Sequence, residues 1–150
     1  MAASVNDCNG RYPPFQGVWQ CTAGAAGIFP AVCSAPNLGN GGDWYGVAAG
    51  LGWPHQQGQA VPGWLASFNV DPPYGDVGLV EAVNGDQLLR NGVNWHLNGQ
   101  WSRDWVAVDL VRGSFLPPGP FVPPPNYQGP TPAQTLAATP GGQGAGPAPA

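Results

Sequence analysis

The placement of proline constrains this chain more than any other feature. Eleven of its 19 prolines lie between Pro117 and Ala150, a stretch with no charged residue. The run Pro117-Pro118-Gly119-Pro120-Phe121-Val122-Pro123-Pro124-Pro125 excludes helix and central strand, because each Pro lacks a donor and fixes φ. Extended, polyproline-like backbone is the expectation there. A collagen reading fails, since Gly does not recur at every third position. Residues Thr131 to Ala150 are rich in Ala, Gly, Pro, Thr and Gln, and would be disordered alone. The chain therefore divides into a globular segment, residues 1–116, and an uncharged arm, residues 117–150. A neighbouring subunit is the expected partner that holds the arm still.

The globular segment carries all 12 charged side chains and all seven tryptophans. It can bury a modest core. Charged residues make up 8% of the chain, against about 25% in an average domain. There is no Lys, and the only cations besides two histidines are Arg11, Arg90, Arg103 and Arg112. A net charge of −4 argues against a nucleic-acid footprint and a polybasic membrane anchor. No run of about 18 apolar residues is present to span a bilayer. The first ten residues lack the basic and apolar regions of a secretory signal peptide. Cys8, Cys21 and Cys33 match no zinc or redox spacing, and are expected to be free thiols or to form one bridge. The acidic residues show no calcium-loop spacing, so neither a metal nor a cofactor is implied.

Residues Cys21 to Phe29 form a small-residue run that predicts a short helix ending before Pro30. In Asp43 to Gly52, Trp44, Val47, Ala48 and Leu51 fall on one helical face. Strands are predicted at Trp64–Phe68, Asp76–Val83, Gln87–Arg90, Val93–Leu97 and Trp105–Val111, with a hairpin turn at Asn84-Gly85-Asp86. His55 is placed in a polar loop. Trp44, Trp64 and Trp95 are expected in the core. Two N-terminal helices followed by an antiparallel sheet make an α+β layout.

From about Tyr12 to Leu116 the order of these pieces resembles the CHAP domain, a papain-like family of cell-wall amidases and endopeptidases. The segments that carry the resemblance are Tyr12-Pro13, Gln20-Cys21-Thr22, Gly39-Asn40 with Trp44, Val61-Pro62-Gly63-Trp64-Leu65-Ala66, Gly75-Asp76-Val77-Gly78-Leu79-Val80-Glu81 and Gly92-Val93-Asn94-Trp95. The resemblance implies a nucleophilic thiol at Cys21, at the start of the first helix. It implies a catalytic His at the position of Asp76, a Glu at the position of Gly92, and a polar partner at Asn94. Helix dipole and imidazolium would lower the thiol pKa, and the His would protonate the leaving amine. An aspartate there raises a thiol pKa instead and is a poor acid for an amine.

A degenerate enzyme is therefore expected, with the fold kept for assembly: a minor tail or tail-tip protein of a bacteriophage particle, bound to other virion subunits through its arm. Two alternatives follow. If Asn94 and His96 share a strand face beside Asp76, His96 would reach Cys21 with Asp76 orienting it, giving an active peptidoglycan hydrolase. Otherwise the groove would bind peptidoglycan without cleaving it.

Overall fold

The computed structural model describes residues 1–133. Six antiparallel strands form one sheet: β1 (His55–Gln57), β2 (Leu65–Phe68), β3 (Asp76–Asn84), β4 (Gln87–Val93), β5 (Trp101–Ala107) and β6 (Val111–Phe115), in the order β1-β6-β2-β3-β4-β5. Two helices, α1 (Cys21–Ile28) and α2 (Trp44–Gly50), precede it. This is the expected α+β arrangement of short helices packed on an antiparallel sheet. Among the described residues, no helix is long and apolar enough to cross a membrane.

The hydrophobic pattern explains the layers. Helix α1 has no polar face, and Thr22 to Ile28 are all buried. Such a helix needs cover on every side. The sheet supplies one side, and its approach is close. A Cβ at Gly24 would lie 2.6 Å from Val93 Cγ2, so this stretch must be built of small residues. Val77, Leu79 and Phe115 pack beneath the helices with fully buried Trp44, whose ring meets Tyr12 at 5.2 Å. On the opposite face of the sheet, Phe68, Val80, Leu88, Val106 and Val111 form a second core.

Prolines of the arm supply another side. Val122 N–H donates to Ile28 O at 2.8 Å, and Ala3 N–H donates to Pro123 O at 2.8 Å. The Phe121 ring lies 5.4 Å from Phe29 and 5.5 Å from Tyr127. The expected break at residue 116 is thus not a break in packing. Residues 117–130 run as a strap over their own domain. The remainder of the arm, 134–150, lies outside the described residues.

Other expectations shift in detail. Cys8 and Cys33 form a disulfide that ties the N-terminal segment to the turn after α1, leaving Cys21 free. His55 belongs to a short edge strand, half-buried against Tyr45, rather than to a polar loop. The segment predicted as one strand, Trp105–Val111, is the end of β5, a 3-10 turn at Val108–Leu110, and the start of β6. Of the predicted strand Val93–Leu97, only Val93 is strand, as the end of β4, and the rest is a turn. Asn94 and Leu97 take left-handed backbone at φ 70° and 59°, and Asn94 Oδ1 accepts from Gly99 N–H at 2.8 Å. Strand alternation therefore stops at Val93.

Candidate active-site cleft

Cys21 is the first residue of α1, with Gln20 as N-cap in extended backbone. Its side chain faces Asp76, the first residue of β3, closely enough for the two groups to perturb each other electrostatically. Both line a cleft of about 880 Å³ with Asn94, Asn40, Gln20 and Trp95. Asn94 Nδ2 faces Gln20 Oε1 at 3.4 Å, a long contact across the entrance to α1. The structure therefore brings together Cys21, Asp76 and Asn94.

His96 stands apart. Its Nε2 lies 2.7 Å from Asp104 Oδ1, it is solvent-exposed, and it does not line the cleft. The reason is the turn that starts at Asn94: with left-handed residues on both sides, Asn94 and His96 share no strand face. An arrangement of His96 on Cys21 with Asp76 as orienter is not the one present.

Asp76 instead has an arginine. Arg90, fully buried on β4, donates from Nε to Asp76 Oδ2 at 2.7 Å and from Nη2 to Oδ1 at 2.9 Å. Nη2 also donates to Val93 O at 3.1 Å, and the guanidinium lies 5.1 Å from the Trp95 ring centroid. The neighbouring sequence makes room for it. A Cβ on Gly78 would sit 2.7 Å from Arg90 Nε, and one on Gly92 would sit 3.1 Å from its Cζ. Gly92 occupies the position where the resemblance called for Glu. The two departures from the expected pattern, Asp76 and Gly92, are thus parts of one device: a planar, bidentate ion pair and the space to hold it. Sequence reasoning missed Arg90. Its signal was a cation in an apolar strand with two glycines packed on it.

The electrostatics follow from this geometry. Burial pushes the Cys21 thiol far above the ordinary cysteine value, and the Asp76 charge adds to the effect, with Arg90 opposing it only in part. Burial also raises the Asp76 carboxyl, against the pull of Arg90. We take Asp76 as ionised at neutral pH, because Arg90 cannot give up its proton and would otherwise be a lone buried charge. Among the described residues no imidazole lines the cleft. Burial and the Asp76 charge thus both favour the protonated thiol, so this arrangement works against an activated nucleophile.

A thiol at the start of a buried helix, packed against an antiparallel sheet whose first long strand brings a polar partner, defines a papain-like domain. Residues 11–94 match the CHAP domain. The chain belongs to the CHAP domain family. Among solved structures it is similar to Ly7917 (TM-score 0.53, 20% identity, covering 77% of this chain and 56% of that one). It is also similar to an N-acetylmuramoyl-L-alanine amidase from Staphylococcus aureus (TM-score 0.51, 19% identity, covering 64% of this chain and 30% of that one). The chain thus spans about half of the first and under a third of the second. No curated protein sequence matches it.

Proposed function

We propose that this protein engages the peptide part of peptidoglycan in its CHAP cleft and does not cut it, and that it does so as a component of a phage particle. The observation that carries the reading is the Asp76–Arg90 pair, which stands where the fold would hold its base while the cleft itself stays open. A site drifting without use would be expected to lose its cleft. Here the cavity has kept polar amides on its walls and apolar side chains on its rim. Placement in a virion, at a tail or tail tip, rests on the sequence resemblance and on the architecture of a CHAP-like module with an uncharged arm. The family and its amidase neighbour supply the cell-wall connection.

Two measurements on purified sacculi test this. Co-sedimentation of the protein with sacculi is the expected result, together with no release of soluble muropeptides. Release that is lost on Cys21→Ala would establish a hydrolase and overturn the non-catalytic reading. Absence of co-sedimentation would overturn wall binding. Mass spectrometry of purified particles checks the virion placement, and absence of the chain there would remove it.

A further inference from the structure

The cleft has an unusual charge inventory. No Lys, Arg or His side chain lines it. Each of the four arginines already holds a partner, and exposed His96 faces Asp104. Arg11 donates to Ala35 O, Arg90 to Asp76, Arg103 to Glu81, and Arg112 to Gly42 O and Asn69. The chain contains no Lys.

The negative side is different. Asp76 is neutralised by Arg90, but Asp71 is exposed on the cleft wall in left-handed backbone. Its backbone carbonyl accepts from Tyr74 N–H at 3.0 Å, while among the described residues its carboxylate meets no hydrogen-bond donor or cation. Around it the rim is apolar. Phe15, Tyr74 and Leu97 are 65%, 56% and 72% exposed, although each is a large hydrophobic side chain. Gln20, Asn40 and Asn94 place neutral amides on the cleft walls, Gln20 and Asn94 bonded to each other and to backbone groups.

We infer that the cleft takes a peptide whose carboxyl groups are capped, as amides or in cross-links, and whose free amine sits against Asp71. This rests on the wall-peptide reading above and narrows it. A free-acid stem peptide would bring carboxylates into a cleft with no cation to meet them and one uncompensated anion to repel them. An ammonium group would find the one unpaired charge there. The apolar rim would cover the ligand's side chains and exclude water from the contact.

The test is a titration of the full chain, followed by NMR or calorimetry, with three synthetic stem peptides. One is amidated with a free side-chain amine, one is the corresponding free acid, and one is amidated with its amine acetylated. The amidated amine peptide is expected to bind about two- to fivefold more tightly than the free acid, a gap sized by exposed charge pairs. The gap should shrink in Asp71→Asn, a change that keeps the left-handed residue tolerable, and in high salt. Equal or tighter binding of the free acid would overturn this inference and leave the wall-peptide reading standing. A gap that survives Asp71→Asn unchanged would overturn the role of Asp71. If none of the three peptides binds, the wall-peptide reading fails and this inference fails with it.

Discussion

Strand β3 carries two acid–arginine pairs five residues apart, and they do different work. At its start, Asp76 is gripped by Arg90 in full burial. Further along, buried Glu81 accepts from Arg103 Nη2 at 2.5 Å, Asn91 Nδ2 at 3.1 Å and the backbone N–H of Gln128 at 2.9 Å. Arg103 is partly exposed, and the third donor comes from the strap. The first pair stands on the cleft floor beside the buried Cys21 thiol. The second closes the strap onto the sheet. The difference lies in what surrounds each carboxylate. Asp76 meets a thiol and a cation that cannot titrate, so its charge is a fixed part of the cleft floor. Glu81 meets three donors from three segments, so its charge is a fastener.

Breaking the first pair should have the largest effect. Arg90→Met leaves Asp76 buried without its partner and is expected to cost about 3–5 kcal/mol in urea unfolding. Replacing both members, as Asp76→Leu with Arg90→Met, should recover most of that loss, since well-packed apolar pairs often match buried ion pairs. Failure of the double variant to recover would show that the pair does more than balance charge.

Glu81→Gln sharpens the contrast. It removes the charge that three donors share and should cost about 1–3 kcal/mol. Hydrogen exchange should rise first at residues 122–128, because the Gln128 contact is lost. Arg103→Gln should cost less, about 0.5–1 kcal/mol, because its guanidinium is partly in water. Equal losses for the two variants would break the picture of Glu81 as the hub.

The pairs also predict a pH dependence. Burial pushes Glu81 up, but the hydrogen bonds from Arg103, Gln128 and Asn91 outweigh it, and its carboxyl ends below the ordinary glutamate value. A carboxylate with a depressed folded pKa binds fewer protons folded than unfolded. Its contribution is therefore fully present above the unfolded value of about 4.3 and is lost as pH falls through the folded one. Strap exchange should accelerate in acid in the wild type, and this acid dependence should flatten in Glu81→Gln.

Much of the fold was legible because local pattern and tertiary packing agree. The small-residue run after Gln20 gives α1, alternation gives β3, and Asn84-Gly85 gives its hairpin with β4. The failures have physical causes. Asn94 and Leu97 adopt left-handed backbone that their neighbours do not announce, so an apparent strand is a turn. Strand β1 is three polar-looking residues long, and it is set by pairing with β6 rather than by propensity. The strap's contacts with its own domain went unforeseen because they run through backbone groups of Ala3 and Ile28 and the Glu81 carboxylate, which composition does not show. In the site, Cys21, Asp76 and Asn94 came from the resemblance. Arg90 was hidden because an arginine in an alternating strand reads as solvent-facing, and only the glycines at 78 and 92 show the room made for it.

The central claim is that burial at the cleft floor, with the Asp76 charge beside it, holds Cys21 as a neutral thiol. Ultraviolet thiolate absorbance of the native protein, taken as a difference from Cys21→Ser, measures this directly. The account predicts no thiolate signal from about pH 5 to about pH 9, above the ordinary cysteine value of about 8.5. A transition with a midpoint below about pH 7.5, the range of activated thiols, would contradict it.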